Sequence, residues 1–157
     1  TYHVRISRVD PGMYGAKEIE QVFREHIPLS RAMEIRVLQY DGNRLILAAP
    51  LEPNHNHLNT AFGGSLHALA TLCGYGWLWL ELQDPKVHVV LRESHVSYRR
   101  PVTGELIARC DRPEEAVVER FKRDFAAKGK ARIALQSVIE EGGKPAVVFT
   151  GEFVAIR

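Results

Sequence analysis

The sequence predicts an α+β fold in which an antiparallel sheet curls around one buried helix. Residues 53–80 contain no Asp, Glu, Lys or Arg, although 25% of the 157-residue chain is charged. Residues 64–80 are apolar around nearly the whole helical circumference, which is typical of a helix enclosed on all sides. The flanking segments alternate apolar and polar residues, and no strand–helix–strand repeat is visible, which favours an antiparallel sheet. Another α+β roll, such as a cone-shaped ligand-binding fold, would show the same order of elements.

The length and composition narrow the class of protein further. A chain of 157 residues predicts a single domain over residues 1–157. An apolar fraction of 45% argues against disorder, and a net charge of only +2 is not typical of a nucleic-acid binder. The polar His67 and Thr71 within the apolar helix favour a buried helix over a membrane span. Cys73 and Cys110 form no C-x-x-C pair, and residues 1–5 lack the apolar segment of a signal peptide, so we expect a reducing, cytoplasmic location.

The remaining elements follow from periodicity and from turn residues. Two further helices are predicted, at residues 17–26 and at residues 113–128 before Gly129. The second should bury a stripe of Val117, Phe121 and Phe125. Asp41-Gly42 predicts a hairpin turn. Six strand-like segments are predicted, at residues 33–37, 45–47, 87–98, 104–110, 133–139 and 147–156. In the third, the apolar residues change from one face of the strand to the other midway, which indicates a bulge near Glu93.

Paired glycines precede the central helix, and they are the first candidate for chemistry. Gly63 and Gly64 at a helix N-terminus would let a ligand approach free backbone N–H groups, which stabilise a developing negative charge such as an oxyanion. The same pair would also simply permit a tight turn into the helix. His55 and His57 in the preceding loop have the spacing of two metal ligands, but no third ligand follows at a recognisable spacing, so we predict no metal.

A set of motifs, taken together, resembles a known family. The set consists of Asn56, then Phe62-Gly63-Gly64-Ser65-Leu66, a long apolar helix, and Ser97-Tyr98-Arg99-Arg100-Pro101-Val102-x-Gly104. This resembles the hotdog-fold acyl thioesterases, and within them the domain that is also found fused behind an acetyltransferase-like domain. The resemblance covers about residues 16–157. It implies a hotdog fold, a homodimer or homotetramer with a site at the dimer interface, and hydrolysis of acyl-CoA or acyl carrier protein thioesters in fatty acid metabolism.

The resemblance also implies roles for individual residues. The oxyanion donor matches Gly63, the residue that holds the attacking water matches Asn56, and the general base of the family matches Thr71. The substrate-binding positions that we expect are Asn59, Gly64, Ser65, Arg99 and Arg100. Coenzyme A or phosphopantetheine would be part of the substrate, and no separate cofactor is expected.

Two positions depart from the family pattern. Phe62 stands where related enzymes often have His, and Thr71 stands where they usually have Asp or Glu. A threonine can orient a water but cannot accept its proton at neutral pH, so the base must come from elsewhere. The alternatives in this chain are His55, His57, His67, Glu93 and His95, and a group reaching across the dimer is a further alternative.

Basic residues suggest how a phosphate-bearing substrate would be held. Arg99 and Arg100 end a predicted strand, and we expect them to bind the phosphates of coenzyme A or phosphopantetheine together with Lys128, Lys130 and Arg132. Two other functions stay open at this point. One is a binding module that retains acyl thioesters without hydrolysing them. The other is a dehydratase of 3-hydroxyacyl thioesters, which would use a His and a carboxylate facing each other.

Overall fold

The backbone order of helices and strands follows the predicted one, with one added helix. The computed structural model describes residues 15–157. Residues 1–5, on which the absence of a signal peptide was predicted, lie outside the described residues. The α-helices are α1 Ala16–His26, α2 Pro28–Ala32, α3 Gly63–Leu82 and α4 Glu115–Lys128. The strands are β1 Arg36–Tyr40, β2 Arg44–Ala49, β3 His88–Tyr98, β4 Leu106–Asp111, β5 Lys130–Glu141 and β6 Lys144–Ile156. A 3₁₀ turn at Glu52–Asn54 precedes α3.

The six strands form one antiparallel sheet that wraps around α3. Its order is β1-β2-β4-β5-β6-β3, so β1 and β3 are its edges. The helix α3 contacts every strand from β2 to β6. This confirms the predicted α+β architecture. The bulge predicted near Glu93 is also confirmed, because the β3–β6 register shifts between Leu91 and Glu93.

Burial of α3 explains why its residues 63–80 contain neither charge nor amphipathic periodicity. Trp77 and Leu78 are fully buried, as is Cys73, whose thiol donates to the carbonyl oxygen of Leu45 at 3.4 Å. A Cβ atom at Gly74 would lie 2.7 Å from the ring of Phe153, so only glycine lets β6 approach the helix this closely. No helix among residues 15–157 is long and apolar enough to cross a membrane.

The first hairpin forms at the predicted turn and depends on one carboxylate. The Oδ1 atom of Asp41 accepts hydrogen bonds from the backbone N–H groups of Asn43 at 2.9 Å and Arg44 at 2.7 Å. These bonds close the turn between β1 and β2. Burial alone would raise the pKa of Asp41, but the backbone hydrogen bonds outweigh it and hold the pKa below its usual value.

Three details differ from the sequence-based prediction. The helix α2 was not expected, and Pro28 begins it instead of only ending α1, because a first-turn proline needs no hydrogen-bonded N–H group. The first strand begins at Arg36, so the buried Met33 lies before it. In α4 the buried stripe contains Val118, whereas Val117 is 42% exposed, since the phase of the helix follows its packing on β5.

Candidate active site at the N-terminus of the central helix

The first turn of α3 presents free backbone N–H groups. Phe62 is the N-cap residue and provides no side-chain cap, and the first helical hydrogen bond runs from Leu66 N to Phe62 O at 3.0 Å. The N–H groups of Gly63, Gly64 and Ser65 therefore have no acceptor within the helix. The positive end of the helix dipole adds to the attraction for an anion at this point. Free N–H groups therefore stand where the sequence placed Gly63 and Gly64, and their use as an oxyanion site stays a prediction.

A buried asparagine fixes the chain where it enters α3. Phe62 N donates to the carbonyl oxygen of Asn54 at 2.7 Å. The side-chain amide of Asn54, which is 1% exposed, donates to the carbonyl oxygens of Met33 at 2.9 Å and Pro50 at 2.8 Å. These bonds tie the entry of α3 to the start of β1 and the end of β2. Sequence reasoning missed Asn54, because nothing in its local sequence distinguishes it from Asn56.

Asn56 and Asn59 belong to one tight loop before the helix. The Oδ1 atom of Asn56 accepts from the backbone N–H groups of Leu58 at 2.8 Å and Thr60 at 3.2 Å. Its Nδ2 atom donates to Thr60 Oγ1 at 2.9 Å. Asn59 is exposed and has a left-handed backbone, with φ at +59°. The Asn56 side chain therefore shapes the loop, and the second hydrogen of Nδ2 has no partner among the described residues.

Exposed apolar side chains lie over the open turn and in the loop before it. Leu58, Phe62 and Tyr98 are 70%, 56% and 53% exposed. Tyr98 lies over the helix entrance, and its hydroxyl donates to the carbonyl oxygen of Gly63 at 3.3 Å. A Cβ atom at Gly64 would lie 2.5 Å from the Phe62 ring, so that ring also covers the turn. The sequence motif contained Tyr98 but did not reveal this contact, because 35 residues separate the two partners.

Thr71 is not brought next to Gly63 within one chain. It lies eight residues further along α3, which is about 12 Å at roughly 1.5 Å per residue. The Thr71 hydroxyl donates to the carbonyl oxygen of His67 at 2.8 Å, so its oxygen can still accept a hydrogen bond. Ser65, in contrast, lies in the first turn beside the glycines and is half-buried.

The side chains that the sequence analysis named as alternative bases lie in different parts of the structure. His55 and His57 are exposed in the loop before α3. Glu93 and His95 lie on the face of the sheet that points away from α3. His67 lies on α3 itself. Among residues 15–157, no group of three or more His, Cys, Asp or Glu side chains is placed to hold a metal ion.

Glu81, which is the first carboxylate after the uncharged run, lies at the far end of α3. Its side chain is 9% exposed and forms ion pairs with Arg112 at 2.7 Å and Lys122 at 2.8 Å. These contacts anchor the C-terminal end of α3 to the chain around α4. Glu81 is about 27 Å along the helix from Gly63, at roughly 1.5 Å per residue, so it is not a base for this site.

The two arginines after β3 lie at the same end of the sheet as the open turn. The backbone N–H groups of Arg99 and Arg100 donate to the carbonyl oxygen of Ala146 at 2.7 and 3.3 Å. The Nε atom of Arg99 donates to Ser97 Oγ at 3.4 Å, and both side chains are exposed. Arg99 directly follows Tyr98, which contacts Gly63, and Arg100 is the next residue, so the two arginines can meet a charged group of a ligand bound there.

Within one chain, the basic residues that were expected to cluster lie at two different ends of the sheet. Lys130 pairs with Ile156, and Ile156 pairs with His88 at the start of β3. Arg99 follows the end of this 11-residue strand, so it lies roughly 35 Å from that end of the sheet at about 3.3 Å per residue. Lys128, Lys130 and Arg132 line an open groove between α4 and β3, on the sheet face away from α3. The sequence could not show this separation, because it depends on the pairing register of three strands.

Comparison with known proteins now adds to this geometry. Residues 16–157 match the model of the family described as "Putative thioesterase (yiiD_Cterm)". The chain belongs to this family. Its six-stranded antiparallel sheet around a long helix is the hotdog fold, as the sequence motifs implied. Membership in this family supports thioester hydrolysis as the general class of activity.

Solved structures agree with the family. The chain is similar to a protein with unknown function from Chlorobaculum tepidum TLS, with 36% identity over 90% of this chain and 94% of that chain, and a TM-score of 0.82. It is also similar to a "putative thioesterase from Shewanella oneidensis", with 29% identity over 90% and 97% of the two chains and a TM-score of 0.77. A thioesterase from Haemophilus influenzae shares 18% identity over 92% of each chain, with a TM-score of 0.73, which is a likeness of fold alone.

Proposed function

We propose that this chain hydrolyses the thioester of an acyl-CoA or an acyl carrier protein to a free acid and a thiol. The observation that carries the proposal is the open first turn of α3. Gly63 and Gly64 present N–H groups without helical acceptors, and exposed apolar side chains lie over them and in the loop before them. A thioester places a polar carbonyl next to an apolar acyl group, so this combination suits it.

The proposed reaction uses the helix N-terminus to stabilise charge. The carbonyl oxygen of the thioester accepts a hydrogen bond from Gly63 N–H, which strengthens as that oxygen becomes negative. Gly64 N–H is the second donor within reach, and Ser65 supports the turn. Removal of one such donor commonly slows an enzyme by about 10²–10³-fold. A thioester is activated enough that this stabilisation gives turnover even with a weak base.

The proposed water-binding pair consists of Asn56 and Thr71. The water accepts a hydrogen bond from the remaining Nδ2 hydrogen of Asn56 and donates one to Thr71 Oγ1. Because α3 separates Thr71 from Gly63 by about 12 Å within one chain, the two groups act together only if they come from two copies. The long β3 edge of the sheet offers the surface for antiparallel pairing of such a homodimer, and two dimers would make a homotetramer.

Substrate recognition would use the charged residues next to Tyr98. Arg99 and Arg100 hold the phosphates of coenzyme A or of phosphopantetheine, with Asn59 at the rim of the site. In an antiparallel β3–β3 pair, the start of one strand lies beside the end of the other. The basic residues at the start of β5 in one copy then approach Arg99 of the second. No further cofactor takes part, and the proposed setting is cytoplasmic fatty acid metabolism.

A binding module is the second candidate, and one observation favours it. Residues 53–80 contain no carboxylate, so α3 lacks the acid that catalysis in this family usually employs. The two functions separate in one experiment, in which purified protein is incubated with a panel of acyl-CoAs and acyl carrier proteins and the products are identified by mass spectrometry. Free acid and thiol support hydrolysis. Bound but unchanged thioester supports the binding module, and loss of water would indicate a dehydratase.

A variant sharpens this test. Thr71→Asp supplies a carboxylate at the position where the family carries one. Hydrolysis by this variant should exceed that of wild type if the substrate binds as proposed, because an ionised carboxylate accepts a proton that threonine cannot. Thr71→Asn is the matched control, since it has a similar shape and no basic oxygen. Equal rates for Thr71→Asp and Thr71→Asn would contradict the proposed position of the substrate.

The shared site has its own test. Asn56→Ala and Thr71→Val proteins are purified separately, each with reduced activity, and are then unfolded and refolded as an equal mixture. If each site takes Asn56 from one copy and Thr71 from the other, half of the dimers are mixed and each mixed dimer regains one intact site. The activity of the mixture should therefore exceed the mean activity of the two parents. The gain is one quarter of the product of the two fractional activity losses, and it approaches a quarter of wild-type activity only where both parents are nearly inactive. No recovery, in a mixture shown to contain mixed dimers, would place both residues in the same copy.

A further inference from the structure

His67 lies one turn beyond Gly63 on the face of α3 that meets the edge of the sheet. Its Nε2 atom is 3.2 Å from the Ser94 hydroxyl on β3. Its ring packs edge-on against Phe149 of β6, with 5.6 Å between the ring centroids. Contacts from two strands therefore hold the imidazole in one orientation beside the open turn.

The position of His67 along α3 distinguishes it from the other polar side chains of the helix. His67 is the first titratable side chain of the helix. Four residues separate it from Gly63, which is about 6 Å along the axis at roughly 1.5 Å per residue. Thr71 is about twice as far, and Glu81 at the far end is neutralised by two ion pairs. One water molecule would therefore fit between the imidazole and the carbonyl group of a substrate that is hydrogen-bonded to Gly63 N–H.

We propose that His67 is the general base of the hydrolysis, which rests on the proposed function above. A ring nitrogen of neutral His67 takes a proton from water as the water oxygen attacks the carbonyl carbon. The oxyanion forms against Gly63 N–H. When the tetrahedral intermediate collapses, the C–S bond breaks and the imidazolium returns the proton to the leaving thiolate. The Ser94 hydroxyl accepts from Nε2–H, which leaves Nδ1 as the basic nitrogen, so Ser94 is a positioning residue.

The surroundings of His67 contain few other titratable groups. On β3, the side chain of Tyr98 lies on the same face of the sheet as Ser94, whereas those of Glu93 and His95 lie on the other face. From β6, the neighbour is Phe149, which carries no charge. No residue between Pro53 and Leu80 is Asp, Glu, Lys or Arg, so α3 itself adds no charged neighbour. His55 and His57, in the loop before α3, are the other imidazoles at this end of the helix. A pH dependence in the range where histidine changes its charge is therefore assigned to His67 only if it is lost in His67→Gln.

The test compares His67→Gln with His26→Gln, an exposed histidine in the last turn of α1. General base catalysis typically contributes about 10²–10⁴-fold, so His67→Gln should lower kcat by about 10²-fold or more, with KM little changed. The rise of the rate between about pH 5 and pH 8 should disappear in His67→Gln and persist in His26→Gln. Thermal unfolding of both variants confirms that each is folded. A wild-type kcat and pH profile in folded His67→Gln overturns the proposal.

Two further variants distinguish a base from a packing residue. His67→Glu restores a proton acceptor, so it should recover part of the rate and move the rise toward about pH 4, the ordinary range of a carboxylate. Ser94→Ala should lower kcat more than it changes KM, because it frees the ring without touching the substrate. An acyl group found on Ser94 by intact-protein mass spectrometry would make Ser94 the nucleophile and overturn the water mechanism. If wild type hydrolyses no thioester, the proposed function fails first; hydrolysis that persists in His67→Gln refutes only the role of His67.

Discussion

Replacement of Thr71 by valine separates a hydrogen-bonding role from a packing role at nearly constant shape. In the structure the hydroxyl donates to the carbonyl oxygen of His67 at 2.8 Å, and the side chain is half-buried. That carbonyl also accepts the ordinary backbone hydrogen bond of the helix, so it stays satisfied in Thr71→Val. Valine and threonine have similar helix propensities. We therefore expect the free energy of unfolding to change by less than about 1 kcal/mol, which is at most a few degrees in Tm.

The expected effect on catalysis is larger than the effect on stability. An uncharged hydrogen bond contributes about 0.5–1.5 kcal/mol, so loss of the bond to the attacking water should reduce kcat by about 2- to 10-fold. Thr71→Ser keeps the hydroxyl and should retain the wild-type rate within about twofold. The assay measures the thiol released from acyl-CoA with a chromogenic thiol reagent. A wild-type rate for Thr71→Val, with Thr71→Ser also unchanged, would show that the hydroxyl only bonds the helix.

Three further predictions concern parts of the molecule away from the open turn. Cys73 and Cys110 are buried, and burial raises the pKa of the Cys73 thiol well above its usual range and that of Cys110 to about 12, so neither should react with a thiol reagent until the protein unfolds. Asp41→Ala should lower the free energy of unfolding by about 1 kcal/mol at pH 7 in urea titrations. Folding lowers the pKa of Asp41, so the ionised side chain stabilises the protein fully only above its unfolded pKa near 4. As the pH falls through the folded pKa, the free energies of unfolding of wild type and Asp41→Ala should become equal. Glu81→Gln breaks two ion pairs of a nearly buried carboxylate and should lower Tm by several degrees, whereas raised salt should affect wild type little.

Most of the fold could be predicted from the sequence, because its signals are local. The uncharged run defines α3, and the change of parity near Glu93 marks the bulge in β3. The helix α2 was missed because its five residues carry no periodic pattern, and only their packing beside α1 shows them to be helical. In α4, Phe121 and Phe125 are buried as predicted, but the third member of the stripe is Val118 and not Val117. Val117 and Val118 are both apolar, so contact with β5 alone decides which one is buried.

The candidate site could be predicted less well, because its partners are distant in sequence. The glycines at the start of α3 are visible as a pair, and their free N–H groups follow from the rules of helix ends. The contact of His67 with Ser94 joins residues 27 positions apart, and it exists only because the register of β3 places Ser94 on the inner face. The separation of Arg99 from Lys130 within one chain was missed for the same reason, since a sequence does not state which ends of two strands meet.

The close approach of β6 to α3 has a consequence for acyl chain length under the proposed function. The rings of Phe149 and Phe153 are fully buried side by side, and the second fills the space that a side chain at Gly74 would need. His67 already touches the first ring, one turn from the open end. An acyl chain that extended from Gly63 along α3 toward Gly74 would meet the rings of Phe149 and Phe153 after a few carbon atoms. Selectivity for short acyl groups would then depend mainly on one side chain, and a smaller residue at position 149 would let the same fold accept longer substrates without any change at the reacting groups.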